Sequence, residues 1–365
     1  MKIKSLPVFL ILSLVLLGCS QPTTYQTPFS GSYSQKILFA HGLDQTLGLF
    51  DPEGGTLYPH VENTEVAPNH LAFSQDSLFV TNSLSGSIQK YSYNPQTGLR
   101  FSQRLFLGDN KNPWMIIPLD PLGISPKAYI PCYASNEILI ITLAPLALTN
   151  LPSIPTGKNP QSGAIMGSKL YVGNISFDDK LFQYSPGTIT VVDTFTDQVI
   201  STITLDSAFN PQSLIPFPGL NQVHVVCTGI PGKNDGVIVI IDTLTDEIVN
   251  RLLIGGSPSW HEGGLDPVRK EIYLSGIGGI QAYNYETPTI LGTEYPNQGY
   301  FLIKGDDTLD DLWSGAFYDK NREKLYLCRS GENKFLQYTR VGAVWVTPLS
   351  WDTLNYPQGN FILLP

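Results

Sequence analysis

A short strand-like pattern recurs seven times along this chain: strand-forming residues, an aromatic or aliphatic, then a small or polar residue where the strand stops. It reads Ile37-Leu38-Phe39-Ala40-His41, Leu78-Phe79-Val80-Thr81-Asn82, Ala128-Tyr129-Ile130-Pro131-Cys132 and Leu170-Tyr171-Val172-Gly173-Asn174. It continues as Val223-His224-Val225-Val226-Cys227, Ile272-Tyr273-Leu274-Ser275-Gly276 and Leu325-Tyr326-Leu327-Cys328-Arg329. The starts lie 41, 50, 42, 53, 49 and 53 residues apart, and each copy is followed by a second apolar run, such as Ser87 to Tyr93 or Val237 to Asp242. A period of roughly 40 to 50 residues carrying about four strands is that of a β-propeller blade, so seven copies predict seven blades. Composition agrees: 33 Gly and 28 Pro among 365 residues supply tight turns, and only 15% of residues are charged, as short strands joined by turns require.

A proline stands 10 to 15 residues ahead of most of these strands, at Pro68, Pro113, Pro160, Pro211 and Pro258, with a further copy at Pro357. At the first position of a strand it costs no ladder hydrogen bond. The last copy, Pro357-Gln358-Gly359-Asn360, has no strands after it, and the first repeat begins at Ile37 with no leading strand. Ring closure resolves both: residues 357–363 are predicted to be the innermost strand of the blade begun by residues 37–60, leaving no open sheet edge. The expected fold is all-β, one seven-bladed propeller over residues 35–365.

Pro68 to Tyr91, with Leu78-Phe79-Val80-Thr81-Asn82 at its centre, resembles a repeat of the YVTN family of extracytoplasmic, surface-layer-type propellers. Gly187 to Thr194 and Gly236 to Thr243 resemble that family's next strand, where Asp and Thr cap the turn. The seventh repeat, around Asp311-Leu312-Trp313, lacks the proline. The resemblance implies fold and location; it does not imply one activity.

The N-terminus carries an address. Lys2 and Lys4, the apolar run Leu6 to Leu17 and the ending Leu16-Leu17-Gly18-Cys19 form a signal-peptide layout. The run is shorter than the roughly 20 residues of a spanning helix. Its ending resembles the lipobox of bacterial lipoproteins, which implies cleavage after Gly18 and acylation of Cys19 by a fatty acid such as palmitate. Residues 1–18 are then a signal peptide and residues 19–34 a lipidated, flexible tether. The expected location is the bacterial cell envelope, extracytoplasmic, and the outer membrane if the cell is Gram-negative. Loss of Lys2 and Lys4 moves the formal charge from -9 to -11, which argues against nucleic acid as a partner.

In a propeller the loop leading into each innermost strand and the loop after each second strand converge around the channel. The first set supplies Asn69, His70, Asn112, Trp114, Asn159, Gln161, Asn210, Gln212, Trp260, His261, Glu262, Trp313, Gln358 and Asn360. The second supplies His41, Asn82, Cys132, Tyr133, Asn174, Cys227 and Arg329. Amides and aromatics in one ring suit a polar, planar or sugar-like ligand, or a peptide loop. The candidate ligand-binding residues are His41, His70, Trp114, Gln161, Gln212, Trp260, His261, Glu262, Trp313, Arg329 and Gln358. Trp260-His261-Glu262 is the sharpest cluster, because imidazole and carboxylate beside an indole could hold a metal or move a proton.

No catalytic residue and no cofactor is assigned, a divalent cation at the channel being the one open possibility. Lactonase-type propellers bind such a cation through Glu, Asn and Asp, and this ring has many Asn but few carboxylates. Two functions stay open. One is a membrane-anchored binding propeller that takes up a nutrient or contacts a surface partner, as a monomer or within an envelope complex. The other is a metal-dependent lactonase, hydrolase or lyase at the channel mouth. Cys132 and Cys227 stand a whole blade apart, beyond the roughly 7 Å reach of a disulfide, so none is expected. His60 and His224 read as loop and strand-surface residues, and the stretch from Ile290 to Asp311 as an insertion offering a second contact surface.

Overall fold

A computed structural model of the chain describes residues 29, 31–119, 127–260, 263–305, 312–342 and 344–365. These residues form seven antiparallel sheets arranged as the blades of a propeller. Blade 2 is Pro68–Ser74, Ser77–Asn82, Ser87–Asn94 and Gly98–Phe106, counted from the channel outward. Blade 4 (Pro160–Met166, Lys169–Asn174, Pro186–Asp193, Gln198–Phe209), blade 5 (Pro211–Phe217, Gln222–Cys227, Val237–Asp242, Glu247–Leu253) and blade 7 (Trp313–Asp319, Lys324–Arg329, Lys334–Val341, Val344–Asp352) repeat that order.

Blade 1 closes the ring as the repeat pattern predicts. Its innermost strand, Pro357–Leu363, comes from the C-terminus and pairs antiparallel with Ile37–His41, with Ile37 opposite Leu363 and His41 opposite Pro357. Thr46–Asp51 and Thr56–Asn63 complete it.

The recurring motif is the second strand of each blade. In blades 1 to 6 these strands end in five consecutive buried residues, because a neighbouring blade covers each of their two faces. A strand buried on both sides reads as a continuous apolar run, not an alternation. The fourth strands are largely exposed, with the alternation of a half-buried edge only in part, as over Ser201–Leu205 within Gln198–Phe209. Seven apolar clusters fill the seven interfaces between adjacent blades. The one across the closure joins Ile37, Phe39 and Phe50 of blade 1 to Phe317, Tyr326 and Phe335 of blade 7.

Blades 3 and 6 depart from four full strands. The innermost strand of blade 3 is only Ile117–Pro118, and that of blade 6 only Leu265–Asp266 behind the flexible pair Gly263-Gly264. The stretch after Ile290 folds back on itself, pairing Thr293–Tyr295 with Gly299–Phe301 before Ile303–Lys304 returns to the edge of Gly279–Asn284. Cys132, Cys227 and Cys328 are buried and free, consistent with their separation by whole blades.

His224 corrects the sequence expectation of a surface residue. It is fully buried between blades 5 and 6, with Nδ1 2.9 Å from the Tyr283 hydroxyl and Nε2 3.1 Å from Gln222 Oε1. His60 lies in the fourth strand of blade 1, exposed and 3.2 Å from Asn63 Oδ1.

Candidate functional site

The prolines mark one structural position. Pro68 pairs with Asn82, Pro113 with Cys132, Pro160 with Asn174, Pro211 with Cys227 and Pro357 with His41, while Trp313 takes the place in blade 7 opposite Arg329. The two predicted residue sets therefore meet at one end of the channel, the mouth. The residue before the proline has φ of 47° at Asn112, 58° at Asn159 and 57° at Asn210. Asparagine tolerates this left-handed turn better than other side chains, which explains its recurrence there. A bulge follows in blades 2, 4 and 5, where Asn69, Gln161 and Gln212 are the extra residues, and bulges re-aim side chains.

Hydroxyl groups fix this rim by reaching across to the next blade's proline carbonyl. Ser83 Oγ donates to Pro113 O, Thr228 Oγ1 to Pro258 O at 2.8 Å, and Ser314 and Ser330 to Pro357 O at 2.9 and 2.6 Å. Asn360 Nδ2 of blade 1 donates to Asn69 O of blade 2. The rim is thus held at backbone positions, leaving the following side chains to line the mouth.

The structure separates the candidates. His41 lies below the rim, fully buried, with Nδ1 3.2 Å from Thr46 Oγ1. Burial lowers its pKa to about 3, with the nearby His60 adding to the shift, so it stays neutral, and its Nε2 has no partner among the described residues. Asn82 and Asn174 are equally buried and bond to the third strand, Asn82 Nδ2 to Gln89 Oε1 at 3.0 Å and Asn174 Nδ2 to Thr190 Oγ1 at 2.9 Å. A residue ending the second strand is roofed by its own third strand. Trp313 is 3% exposed with the Arg329 guanidinium 5.4 Å from its ring centre, and Arg329 also pairs with Glu332 at 3.1 Å. Those two open onto a cleft of about 290 Å³ between blades 6 and 7. His70, Gln212 and Gln358 sit half-buried at the rim. His261 and Glu262 lie outside the described residues, as does Cys19.

Several buried polar atoms at the rim have no hydrogen-bond partner among the described residues, as is also true of His41 Nε2 and of Oδ1 of Asn82 and Asn174 below it. Those at the rim include Trp114 Nε1 on blade 3, Gln161 Oε1 on blade 4, Trp260 Nε1 on blade 6 and Gln358 Oε1 on blade 1, joined by Oδ1 of Asn112, Asn159 and Asn210. All follow or precede a leading position, and leaving such an atom unpaired costs about 1–3 kcal/mol. Donors and acceptors are mixed, so a ligand able to do both is the best match.

Sequence reasoning missed an aromatic ridge beside them. The link between the second and third strands of blade 4 forms a hairpin pairing Phe177–Asp178 with Gln183–Tyr184. Trp114 and Tyr133 lie 5.9 Å apart, Phe177 and Tyr184 4.8 Å, and Phe177 and Phe182 6.3 Å. Burial, with neighbouring Tyr184 and Asp179, pushes the Tyr133 hydroxyl up to about 12, keeping it a neutral donor. The signal was the distance from Asn174 to Pro186, long compared with Asn82 to Ser87 in blade 2.

No protein-family profile and no curated protein sequence matches this chain. Solved structures do match in fold. A candidate 6-phosphogluconolactonase of Bacteroides fragilis is 13% identical with a TM-score of 0.65, over 93% of this chain and 100% of that one. A second candidate 6-phosphogluconolactonase, from Bacteroides uniformis, is 14% identical with a TM-score of 0.60, over 91% and 97%. AztD of Citrobacter koseri is 11% identical with a TM-score of 0.54, over 89% and 96%. At such identity the likeness defines a class, the seven-bladed β-propeller, and nothing narrower.

Proposed function

We propose that this chain is an exported β-propeller, anchored by a lipid on Cys19 in a bacterial envelope, that binds a neutral, hydroxyl-rich ligand of the glycan type at its channel mouth. The observation carrying the ligand class is the set of unpaired indole N–H and amide oxygens at the leading positions, Trp114, Gln161, Trp260 and Gln358. Sugar hydroxyls donate and accept at once, and sugar ring faces stack on aromatic side chains such as those of the Trp114 to Phe182 ridge. The acidic balance of the chain, -9, disfavours a polyanion. The capped turns at Asp193 and Asp242 support a YVTN-type repeat, because each aspartate Oδ1 accepts two backbone N–H groups.

A metal-dependent hydrolase would draw on His41, His70 and His261. Among the described residues, no group of three His, Cys, Asp or Glu side chains is placed to hold a metal ion. The test of the binding reading is titration of intrinsic tryptophan fluorescence with a panel of soluble neutral oligosaccharides. The expected result is saturable quenching by at least one of them, reduced in Trp114→Phe. Quenching unaltered by Trp114→Phe, Gln161→Ala and Trp260→Phe together would remove the mouth as the site.

A further inference from the structure

The two faces of the disc carry different things. Tyr33 N donates to Pro95 O at 2.7 Å and Gln35 N to Leu364 O at 2.8 Å, while the Phe29 ring lies 4.8 Å from those of Tyr33 and Tyr58. Pro95 belongs to the turn between the third and fourth strands of blade 2, and Leu364 follows the innermost strand of blade 1. Residue 29 and residues 31–36 therefore meet the propeller on the face opposite the channel mouth.

Among the described residues, that same face holds the most exposed large apolar side chains. Phe195 is 84% exposed, Val268 76% and Leu244 73%, each on a turn between adjacent strands of blades 4, 6 and 5 respectively. Single exposed apolar residues are ordinary. These three differ in standing on turn tips of three consecutive blades, on the face from which the chain's N-terminal segment leads away. Phe195 and Leu244 are also held rigidly, at the centre of Asp-Thr-Phe-Thr-Asp and Asp-Thr-Leu-Thr-Asp turns whose first aspartate accepts their backbone N–H. The second aspartates are neutralised locally, Asp197 by Lys127 at 2.5 Å and Asp246 by Lys169 at 2.8 Å.

We propose that this face docks on a lipid bilayer surface, with Phe195, Leu244 and Val268 entering the interfacial layer and the channel mouth turned away from the membrane. The inference rests on the reading of Cys19 as lipidated. Ten residue steps separate Cys19 from Phe29, and even fully extended they reach no more than about 36 Å, so an acylated Cys19 tethers the propeller from this face. Apolar side chains at the interface gain binding in proportion to the area they bury, and the acidic chain favours zwitterionic over anionic headgroups.

The test uses the full chain, expressed with acylation and reconstituted into phosphatidylethanolamine and phosphatidylcholine vesicles. Incorporation of labelled palmitate is measured first. Phe195→Cys, Leu244→Cys and Val268→Cys each receive an environment-sensitive fluorophore, which the three buried native thiols leave free to react at the introduced site. Leu84→Cys and Leu181→Cys, exposed on the mouth side, serve as controls. The expected result is a blue shift and strong quenching by brominated phosphatidylcholine at 195, 244 and 268, with neither at 84 and 181. Acylated protein whose five probes behave alike overturns the docking face while leaving the anchor intact. Absence of palmitate overturns the anchor, and the docking proposal with it.

Discussion

Two buried imidazoles make stability depend on pH, and the size of the effect follows from their surroundings. Burial lowers the pKa of both His41 and His224 to about 3, against about 6.5 in an unfolded chain. The folded state keeps each neutral, so the unfolded state binds more protons in the window between pH 6.5 and 3. Stability is complete above 6.5 and falls as the pH drops through that window. From pH 7 to 5 the loss is about 2 kcal/mol per imidazole, about 4 kcal/mol for the pair. Urea unfolding at the two pH values measures it. His224→Gln keeps a polar partner for the Tyr283 hydroxyl and removes the titration, so it should lose only about half as much stability between pH 7 and 5, whatever its stability at pH 7. Carboxylates contribute equally to both proteins and cancel in the comparison. A double His41→Gln, His224→Gln protein that still loses the wild-type amount would refute the reasoning.

Further outcomes follow from the interfaces. Gly315, with φ of 65°, and Gly359 touch backbone to backbone where blade 7 meets the closing strand; Gly315→Ala should cost about 3 kcal/mol in denaturant unfolding, from overpacking and left-handed strain together. Asp246 accepts from both Lys169 and Tyr171 of the preceding blade, so Asp246→Ala should destabilise by about 2 kcal/mol and Tyr171→Phe by about 1 kcal/mol, read in the same assay. Cys132, raised to about 12 by burial, should resist thiol reagents until the protein unfolds; labelling of the folded chain at the rate of a free thiol would contradict its place between blades.

The fold was legible because propeller blades bury their second strands on both faces, turning Leu170 to Asn174 and its counterparts into repeated apolar runs. Closure was legible because Pro357-Gln358 has the same leading pattern as Pro160-Gln161. The short innermost strands of blades 3 and 6 were not, since Ile117–Pro118 and Leu265–Asp266 are too brief to leave a period. Around the mouth, the leading prolines located the rim, yet they could not separate Gln161, which stands on the rim bulge, from His41, which is fully buried beneath it. Repeat position specifies where a backbone goes; which neighbour covers a side chain depends on packing the repeat does not encode. The contacts of Lys127 and Tyr129 with Asp197, repeated by Lys169 and Tyr171 with Asp246, were equally invisible, because each joins residues about 70 positions apart.

The account stands or falls on the mouth as a binding surface, and calorimetric titration tests that most directly. A neutral oligosaccharide that quenches the intrinsic fluorescence is titrated into wild-type protein, Gln161→Ala and Gln358→Ala. The account predicts saturable binding to the wild type and at least about tenfold weaker binding to each variant, the loss of roughly one hydrogen-bonding group, with unfolding midpoints unchanged. Equal affinity in all three proteins, or no binding by any oligosaccharide of the panel, would contradict it.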